Sequence, residues 1–506
     1  MVALSERNLE RIRESAVARL PEGSTFRTPS YDRSCLTVGT VHFGVGGFHR
    51  AHQARYLDDL LQRGEGRDFA IAGMGVMPQD RRMREVLRSQ DHLYTLISRF
   101  PDGREDIRVI GSIVDYIWAP EDPVGAVEYL AQENVRIVSL TVTEGGYNIN
   151  QVTHEYDLAA PEVAADLRDP EHPRTVFGFV VRALQLRRER GIAPFTVRSC
   201  DNIQANGEVA RSVFTAHARA LDPELASWIE ANVSFPNSMV DRITPATTDD
   251  DRAYVREALG YEDAWPVVTE DFIQWVMEDD FPTGRAPYEQ VGVQMVDDVA
   301  PYEKLKLRML NSSHQGLCYF AHLAGYHRVH EAVSDPLIAD FLLRYMHEEA
   351  QPTLDPLPDE NPQQYAQTLI RRFTNAAVKD TVPRLCAESS DRIPKWLVPV
   401  IRDNLRSGGR VRCSAAIVAS WARYAEGTDE QGDPIEIVDH AEQKVRSAAQ
   451  RQLEGDELAF LRNEDFFANL VEHEEFTREY LWALRSLHEV GSLETLRRLQ
   501  ERQEDS

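Results

Sequence analysis

Paired cysteines are missing from this sequence. Its five cysteines (Cys35, Cys200, Cys318, Cys386 and Cys413) are odd in number, widely spaced and form no CxxC. This excludes a disulfide scaffold and a zinc-ribbon framework, and it fits free thiols in a reducing compartment. No apolar run approaches the roughly 20 residues of a membrane span, and the N-terminus mixes Glu and Arg from the start with no apolar signal core. A cytoplasmic protein with no membrane partner is expected. Positive charge is scarce: 56 Lys and Arg stand against 82 Asp and Glu, giving a net charge of −26. Nucleic acid and anionic membranes are poor partners for such a surface. No HExxH occurs either. His42, His49 and His52 cluster around a glycine turn, but they lack the closed ligand set that zinc requires, so no metal is expected.

The chain has 506 residues, 42% hydrophobic and 27% charged, enough for two or three domains with substantial cores. The first 30 residues read as an amphipathic helix (Leu9, Ile12, Val17, Leu20) followed by a linker. Strand and helix patterns then alternate. Strands are expected at 38–43, 69–73, 135–142 and 195–199, an antiparallel pair at 93–100 and 106–110, and helices at 51–61, 80–89, 176–190 and 207–220. Alternation of this kind implies a mostly parallel, doubly wound sheet. Beyond about residue 295 helical patterns dominate (303–325, 335–350, 363–378, 396–407, 412–425, 438–450, 456–462 and 475–500), with Pro352, Pro356, Pro358 and Pro362 marking a loop. The expected organisation is an α/β Rossmann-like domain over 1–295 and an all-α domain over 296–506. A cleft between two domains is a common place for a ligand.

The turn after the first strand, Phe43-Gly44-Val45-Gly46-Gly47-Phe48, has the form of a dinucleotide-binding turn. One glycine permits the tight bend, and a second lets the backbone approach a pyrophosphate at the helix start. The third glycine of the usual fingerprint is absent, since position 49 is His. Asp80, just beyond the second strand, is the candidate for the adenosine ribose, which would favour NAD. A helix N-cap explains it equally well, and Arg81 and Arg82 leave NADP open.

Lys306, Asn311 and His314 lie in the segment Tyr302-Glu-Lys-Leu-Lys-Leu-Arg-Met-Leu-Asn-Ser-Ser-His314. At 100° per residue Asn311 stands about 140° from Lys306, and His314 about 80°, so one helix would present all three on one side. A lysine is a poor base at neutral pH, with a reference pKa of about 10.4, but burial and nearby dipoles lower it. Lys304 is a rival on spacing alone. Asn311 is unfavourable in a helix interior, and a carboxamide there suits an oxygen on which negative charge develops. Asn202, at the end of the 195–199 strand, suits the same task or a simple Asx-turn. Asp241 beside Arg242 is either a site residue or half of an internal ion pair.

Together, Val41-His-Phe-Gly-Val-Gly-Gly-Phe-His-Arg-Ala-His52, Ser199-Cys-Asp-Asn202, Val233-Ser-Phe-Pro-Asn-Ser-Met-Val-Asp-Arg-Ile-Thr-Pro245 and the K-x4-N-x2-H array resemble the polyol-specific long-chain dehydrogenases of the mannitol dehydrogenase family. The resemblance covers nearly the whole chain. It implies zinc-independent, NAD-linked interconversion of a sugar alcohol and a ketose, with mannitol and fructose as the expected pair. It also implies a monomer whose partners are small polyols and ketoses. Residue by residue, Lys306 takes the place of the general base. Asn202 and Asn311 are the two amides around the reacting oxygen, and His314 and Asp241 fall on substrate positions. Glu144 matches a proton-relaying carboxylate and Arg384 a polyol-binding arginine, while Arg392 falls where the family can carry a lysine. Arabinitol oxidation and hexuronate (fructuronate) reduction are the alternatives within the family. A non-catalytic dinucleotide-binding sensor is the alternative outside it.

Overall fold

The computed structural model describes residues 2–149, 155–357 and 359–504; Pro358 of the proline-marked loop lies outside them. The chain divides into two compact units, Met1–Ala300 and Pro301–Ser506.

Five strands form the central sheet of the first unit: β1 (Val38–Phe43), β2 (Ala70–Gly75), β3 (Ile113–Trp118), β4 (Ile137–Leu140) and β5 (Thr196–Ser199). All neighbours run parallel, in the order β3-β2-β1-β4-β5. This is the Rossmann order, with its reversal point between β1 and β4. The near-continuous apolar runs follow from burial on both faces. Val41, Phe43, Val138, Leu140 and Val197 pack against helices Val176–Arg190 and Asn206–Leu221. Ile71, Ile113 and Ile137 face the opposite layer with Leu57, Leu60 and Leu87. Full burial of each such side chain contributes about 1.5–3 kcal/mol.

Two smaller sheets accompany it. Tyr94–Arg99 and Glu105–Ile110 pair antiparallel, as their alternation indicates, and are flanked by Val267–Glu270 and Thr25–Arg27. Residues 25–27 are therefore an edge strand, not part of a linker; three residues are too few to show alternation. The third sheet pairs Ser238–Asp241 with Gln274–Glu278 and the latter with Gln294–Val296.

The second unit is helical, and among the described residues it contains no strand beyond isolated bridges. Helices Arg412–Ala425 and Pro362–Phe373 lie close to their expected places. Residues 456–462 form turns instead of the expected helix. The stretch lies between Gly455 at φ +112° and the next helix, which starts at Glu464, and it buries Phe460 and Leu461. The expected 475–500 helix is two, Glu474–Val490 and Ser492–Glu504, parted at Gly491 with φ +80°. Among the described residues no helix is long and apolar enough to cross a membrane.

Candidate active site

The glycine turn leaves the carboxyl end of β1 beside the loop that follows β4, at the reversal point of the sheet. Gly44 has φ +88°, and a Cβ there would lie 2.0 Å from the Thr141 carbonyl oxygen, so only glycine fits. The Thr141 backbone N–H donates to the Phe43 carbonyl at 2.9 Å, and its hydroxyl donates to the Gly44 carbonyl at 2.7 Å. Gly46 is different. Its φ of −92° is ordinary, and a Cβ would meet nothing nearer than 3.9 Å. Nothing within the chain requires glycine at 46, which fits a backbone kept bare for a close-lying ligand such as a pyrophosphate. Phe43 and Val45 are buried and Phe48 half-buried around the turn. The following helix begins at Gly47, breaks at His52 and resumes over Gln53–Gln62.

The three histidines do not converge as a ligand set. His42 and His49 stack with ring centroids 3.4 Å apart. His42 Nε2 bonds Thr141 Oγ1 at 2.8 Å and Nδ1 bonds Ser139 Oγ at 2.7 Å. Burial lowers the His42 pKa to about 3, so a neutral ring braces the turn. With the Thr141 proton on Gly44, Nε2 carries the ring proton and Nδ1 accepts from Ser139. His52 bonds the Gln274 carbonyl at 2.8 Å. Among the described residues, one group has metal-ligand spacing: Glu388, Asp391 and His440. There His440 Nδ1 stands 2.8 Å from Glu388.

Asp80 opens helix Asp80–Ser89 but is not its N-cap, which is Gln79. Its carboxylate accepts from the Met77 N–H at 2.9 Å, bracing the loop that leaves β2, and burial raises its pKa. Arg81 pairs with Glu85, and the Arg82 guanidinium lies 5.0 Å from the Trp265 ring centroid.

The loops after β4 and β5 are tied together by a residue that sequence reasoning passed over. Asp201 accepts from the Thr143 N–H at 2.7 Å and from the Tyr147 hydroxyl at 2.9 Å, and burial pushes its carboxyl up. Thr143 is held at φ +68°, a costly conformation for a β-branched residue. It leads directly into the turn Glu144–Tyr147, on which Glu144 is exposed; Asn202, next to Asp201, is exposed as well. Asn206 donates to the carbonyls of Asp201 and Ser238 at 2.9 and 2.7 Å, fastening this loop to strand Ser238–Asp241. Asp241 is buried at the end of that strand. Its neighbour Arg242 is structural: the guanidinium donates to the Ala51 and Glu270 carbonyls and to Ser98, and burial lowers its pKa to about 9.

In the second unit the expected 303–325 helix is not uniform. Ala300–Leu305 is α-helical, Lys306–Asn311 is a π segment, and Ser312–Leu323 is α-helical again. A π turn closes between residues five apart, so Lys306 and Asn311 stand closer in angle than the about 140° of a uniform α-helix. Both are buried, 8% and 6% exposed. Lys304, its side chain 27% exposed, pairs with Asp355 at 3.0 Å. Two other π segments, Val255–Leu259 and Met346–Ala350, show that π winding alone marks no site. Here it carries a buried lysine at one end and a buried carboxamide at the other.

His314 is half-buried against Phe373, with ring centroids 5.0 Å apart. It also acts electrostatically on Asp380. Burial alone would raise the Asp380 pKa, but Arg384 outweighs it and holds the carboxyl low. Arg384 grips Asp380 through Nε at 2.6 Å and Nη2 at 2.7 Å, while 54% of its side chain is exposed. Arg392 donates to the Leu385 carbonyl at 3.0 Å and to that of Arg384 at 3.3 Å, closing the end of helix Val382–Cys386.

Residues 38–290 match the family model described as "Mannitol dehydrogenase Rossmann domain", and residues 298–488 match "Mannitol dehydrogenase C-terminal domain". The chain belongs to the mannitol dehydrogenase family. This family member is 42% identical over 501 residues to a mannitol 2-dehydrogenase of Aspergillus fumigatus, covering 97% of this chain and 98% of that one. It is similar to the solved structure of Pseudomonas fluorescens mannitol 2-dehydrogenase in ternary complex with NAD and D-mannitol, at a TM-score of 0.83 and 40% identity over 99% of this chain and all of that one. A substrate-free D-sorbitol dehydrogenase structure matches at a TM-score of 0.90 and 36% identity over 98% of this chain and all of that one.

Proposed function

We propose that this protein is an NAD-dependent polyol 2-dehydrogenase interconverting D-mannitol and D-fructose, with Lys306 as general base and no metal in the reaction. The observation that carries the reading is the buried Lys306 and Asn311 on one π turn, in a chain similar over 99% of its length to an enzyme solved with NAD and D-mannitol.

The chemistry follows from the side chains. Oxidising a secondary alcohol requires its hydroxyl proton to leave as the carbon-bound hydrogen departs with its electron pair; NAD, when bound, supplies the hydride acceptor. A buried amine is favoured in its neutral form because an ammonium loses hydration there, and in this reading Lys306 takes the hydroxyl proton. Asn311 donates its amide N–H to the oxygen as alkoxide charge develops, and Asn202 is assigned the same task. Such donors supply the stabilisation that a Lewis acid supplies in zinc enzymes. His314 binds a neighbouring hydroxyl, Glu144 passes the proton on to solvent, and Asp241 binds the polyol. The bare backbone at Gly46 would hold the pyrophosphate. Asp80, opening the helix that follows β2, favours NAD, because a carboxylate there repels a 2′-phosphate.

The arginines bear on the competing substrate class. A hexuronate needs a cation for its carboxylate. Arg384 Nε and Nη2 are already bonded to Asp380, and Arg392 Nη1 is bonded to backbone carbonyls, which weakens the case for either as a carboxylate site. The Arg384–Asp380 pair instead offers a polyol donors and acceptors side by side.

Initial rates with NAD and NADP against mannitol, arabinitol and sorbitol, and with NADH against fructose and fructuronate, test this reading. Fast NAD-linked mannitol oxidation and fructose reduction are expected. Preferential turnover of arabinitol or fructuronate would replace the substrate assignment. Cofactor binding with no turnover of any of them would favour the sensor.

A further inference from the structure

Winding a helix as π changes the hydrogen-bond partners of its backbone. In an α-helix the Ser312 N–H would serve the Arg308 carbonyl, four residues back; here it serves the Leu307 carbonyl, five back. The Arg308 carbonyl thereby gives up its α-helical donor, and a backbone carbonyl shielded from water needs another partner. Tyr345, the last residue of helix Pro336–Tyr345, supplies one: its hydroxyl donates to the Arg308 carbonyl at 3.0 Å. Ser312 completes the arrangement by donating its hydroxyl to the Leu307 carbonyl at 3.1 Å, alongside its own backbone N–H. Ser312 and Tyr345 are fully buried. The Arg308 side chain adds an anchor outside the turn, bonding Asp403 at 2.6 Å and the Thr353 carbonyl at 3.0 Å. Two hydroxyls thus hold the two carbonyls between the buried lysine and the buried carboxamide, and the guanidinium anchors the segment from outside.

We propose that Tyr345, assisted by Ser312, is a positioning residue for the reaction: its hydroxyl holds residues 306–311 in π register so that the Lys306 amine and the Asn311 amide address the same oxygen. This rests on the reading of Lys306 as general base. Core packing does not require the hydroxyl, since a phenylalanine ring fills nearly the same volume. The π winding does require it. Without that donor the Arg308 carbonyl recovers the Ser312 N–H, the segment relaxes toward α geometry, and Asn311 swings by up to about 140° from Lys306. Neither residue belongs to the K-x4-N-x2-H array. Tyr345 reaches it from a helix more than thirty positions further along the chain.

Tyr345→Phe, made in the full-length protein, tests the proposal through kcat, KM for mannitol, NADH affinity by fluorescence, melting temperature and the primary isotope effect with C2-deuterated mannitol. The expected result is a kcat lowered about tenfold to a hundredfold, the scale of a misplaced reacting group. KM and NADH affinity should stay within about twofold, and the isotope effect on kcat should rise as the chemical step becomes limiting. Ser312→Ala should shift the same quantities in the same direction, and it carries the test if Tyr345→Phe does not fold. A folded variant with wild-type kcat overturns the proposal, as does a kcat loss matched by equal losses in KM and cofactor binding. Lys306→Ala measured in parallel separates the two levels. Activity surviving in Lys306→Ala removes the base assignment and the proposal with it. Activity lost there but kept in both hydroxyl variants removes the proposal alone.

Discussion

Lys306 and Asn311 stand at the two ends of one π segment, five residues apart and both buried. Five is the closing distance of a π turn, so the two residues stand closer in angle than the about 140° that a uniform α-helix gives them. In the proposed function the pair joins a proton acceptor to a hydrogen-bond donor on one segment.

Asn311→Ala should therefore lower kcat by roughly 10²–10³, the usual loss for one donor to a developing oxyanion, with NADH binding intact. Steady-state kinetics and a cofactor titration check this. Asn311→Asp should be at least as damaging, because a carboxylate repels the alkoxide.

The two glycines of the β1 turn should respond in opposite ways. Gly44→Ala places a Cβ 2.0 Å from the Thr141 carbonyl oxygen at φ +88°, so its melting temperature should fall clearly or the protein should not fold. Gly46→Ala meets nothing nearer than 3.9 Å, so the fold should keep its melting temperature to within a few degrees while NADH affinity drops. Thermal unfolding and isothermal titration on both variants test this.

Glu349 provides a pH test. It is buried and accepts from the Cys413 and Ser414 N–H groups at 2.6 and 2.8 Å and from the Ser414 hydroxyl, at the start of helix Arg412–Ala425. Burial outweighs those donors and raises its pKa from 4.5 to about 7. Between those values the folded state binds more protons at this group than the unfolded state does. Its contribution to stability is therefore fully present below pH 4.5 and lost as pH rises through about 7. The amount is about 3 kcal/mol, from 1.36 kcal/mol per pKa unit. Melting temperature measured from pH 5 to 8 should fall more steeply in the wild type than in Glu349→Gln, which cannot titrate. Parallel curves would show that Glu349 does not titrate in this range.

Much of the first unit was legible because its physics is local. Fully buried parallel strands must be apolar along their length, and a bend at φ +88° must be glycine, so β1, β4 and the Gly44 turn stand out in the sequence. Asn311 and Asn202 could be singled out by residue type and position, whereas Lys306 is separated from Lys304, and Glu144 proposed, only through the family resemblance. Their geometry could not be read from the sequence. An α-helical wheel misplaces Asn311 relative to Lys306 because the π winding depends on a tyrosine hydroxyl from another helix, and no local propensity announces it. Asp201 was passed over because its role is to bond Thr143 and Tyr147 across two loops. The resemblance marks Arg384 as a polyol-binding arginine but does not reveal that Asp380, four residues earlier, occupies its fork.

Replacing Lys306 is the most direct measurement. In Lys306→Ala, kcat for NAD-linked mannitol oxidation should fall by roughly 10²–10⁴, the range for loss of a general base, while NADH affinity and melting temperature stay near wild type. A folded Lys306→Ala enzyme that oxidises mannitol within a few-fold of the wild-type rate would contradict the assignment of Lys306 as the base.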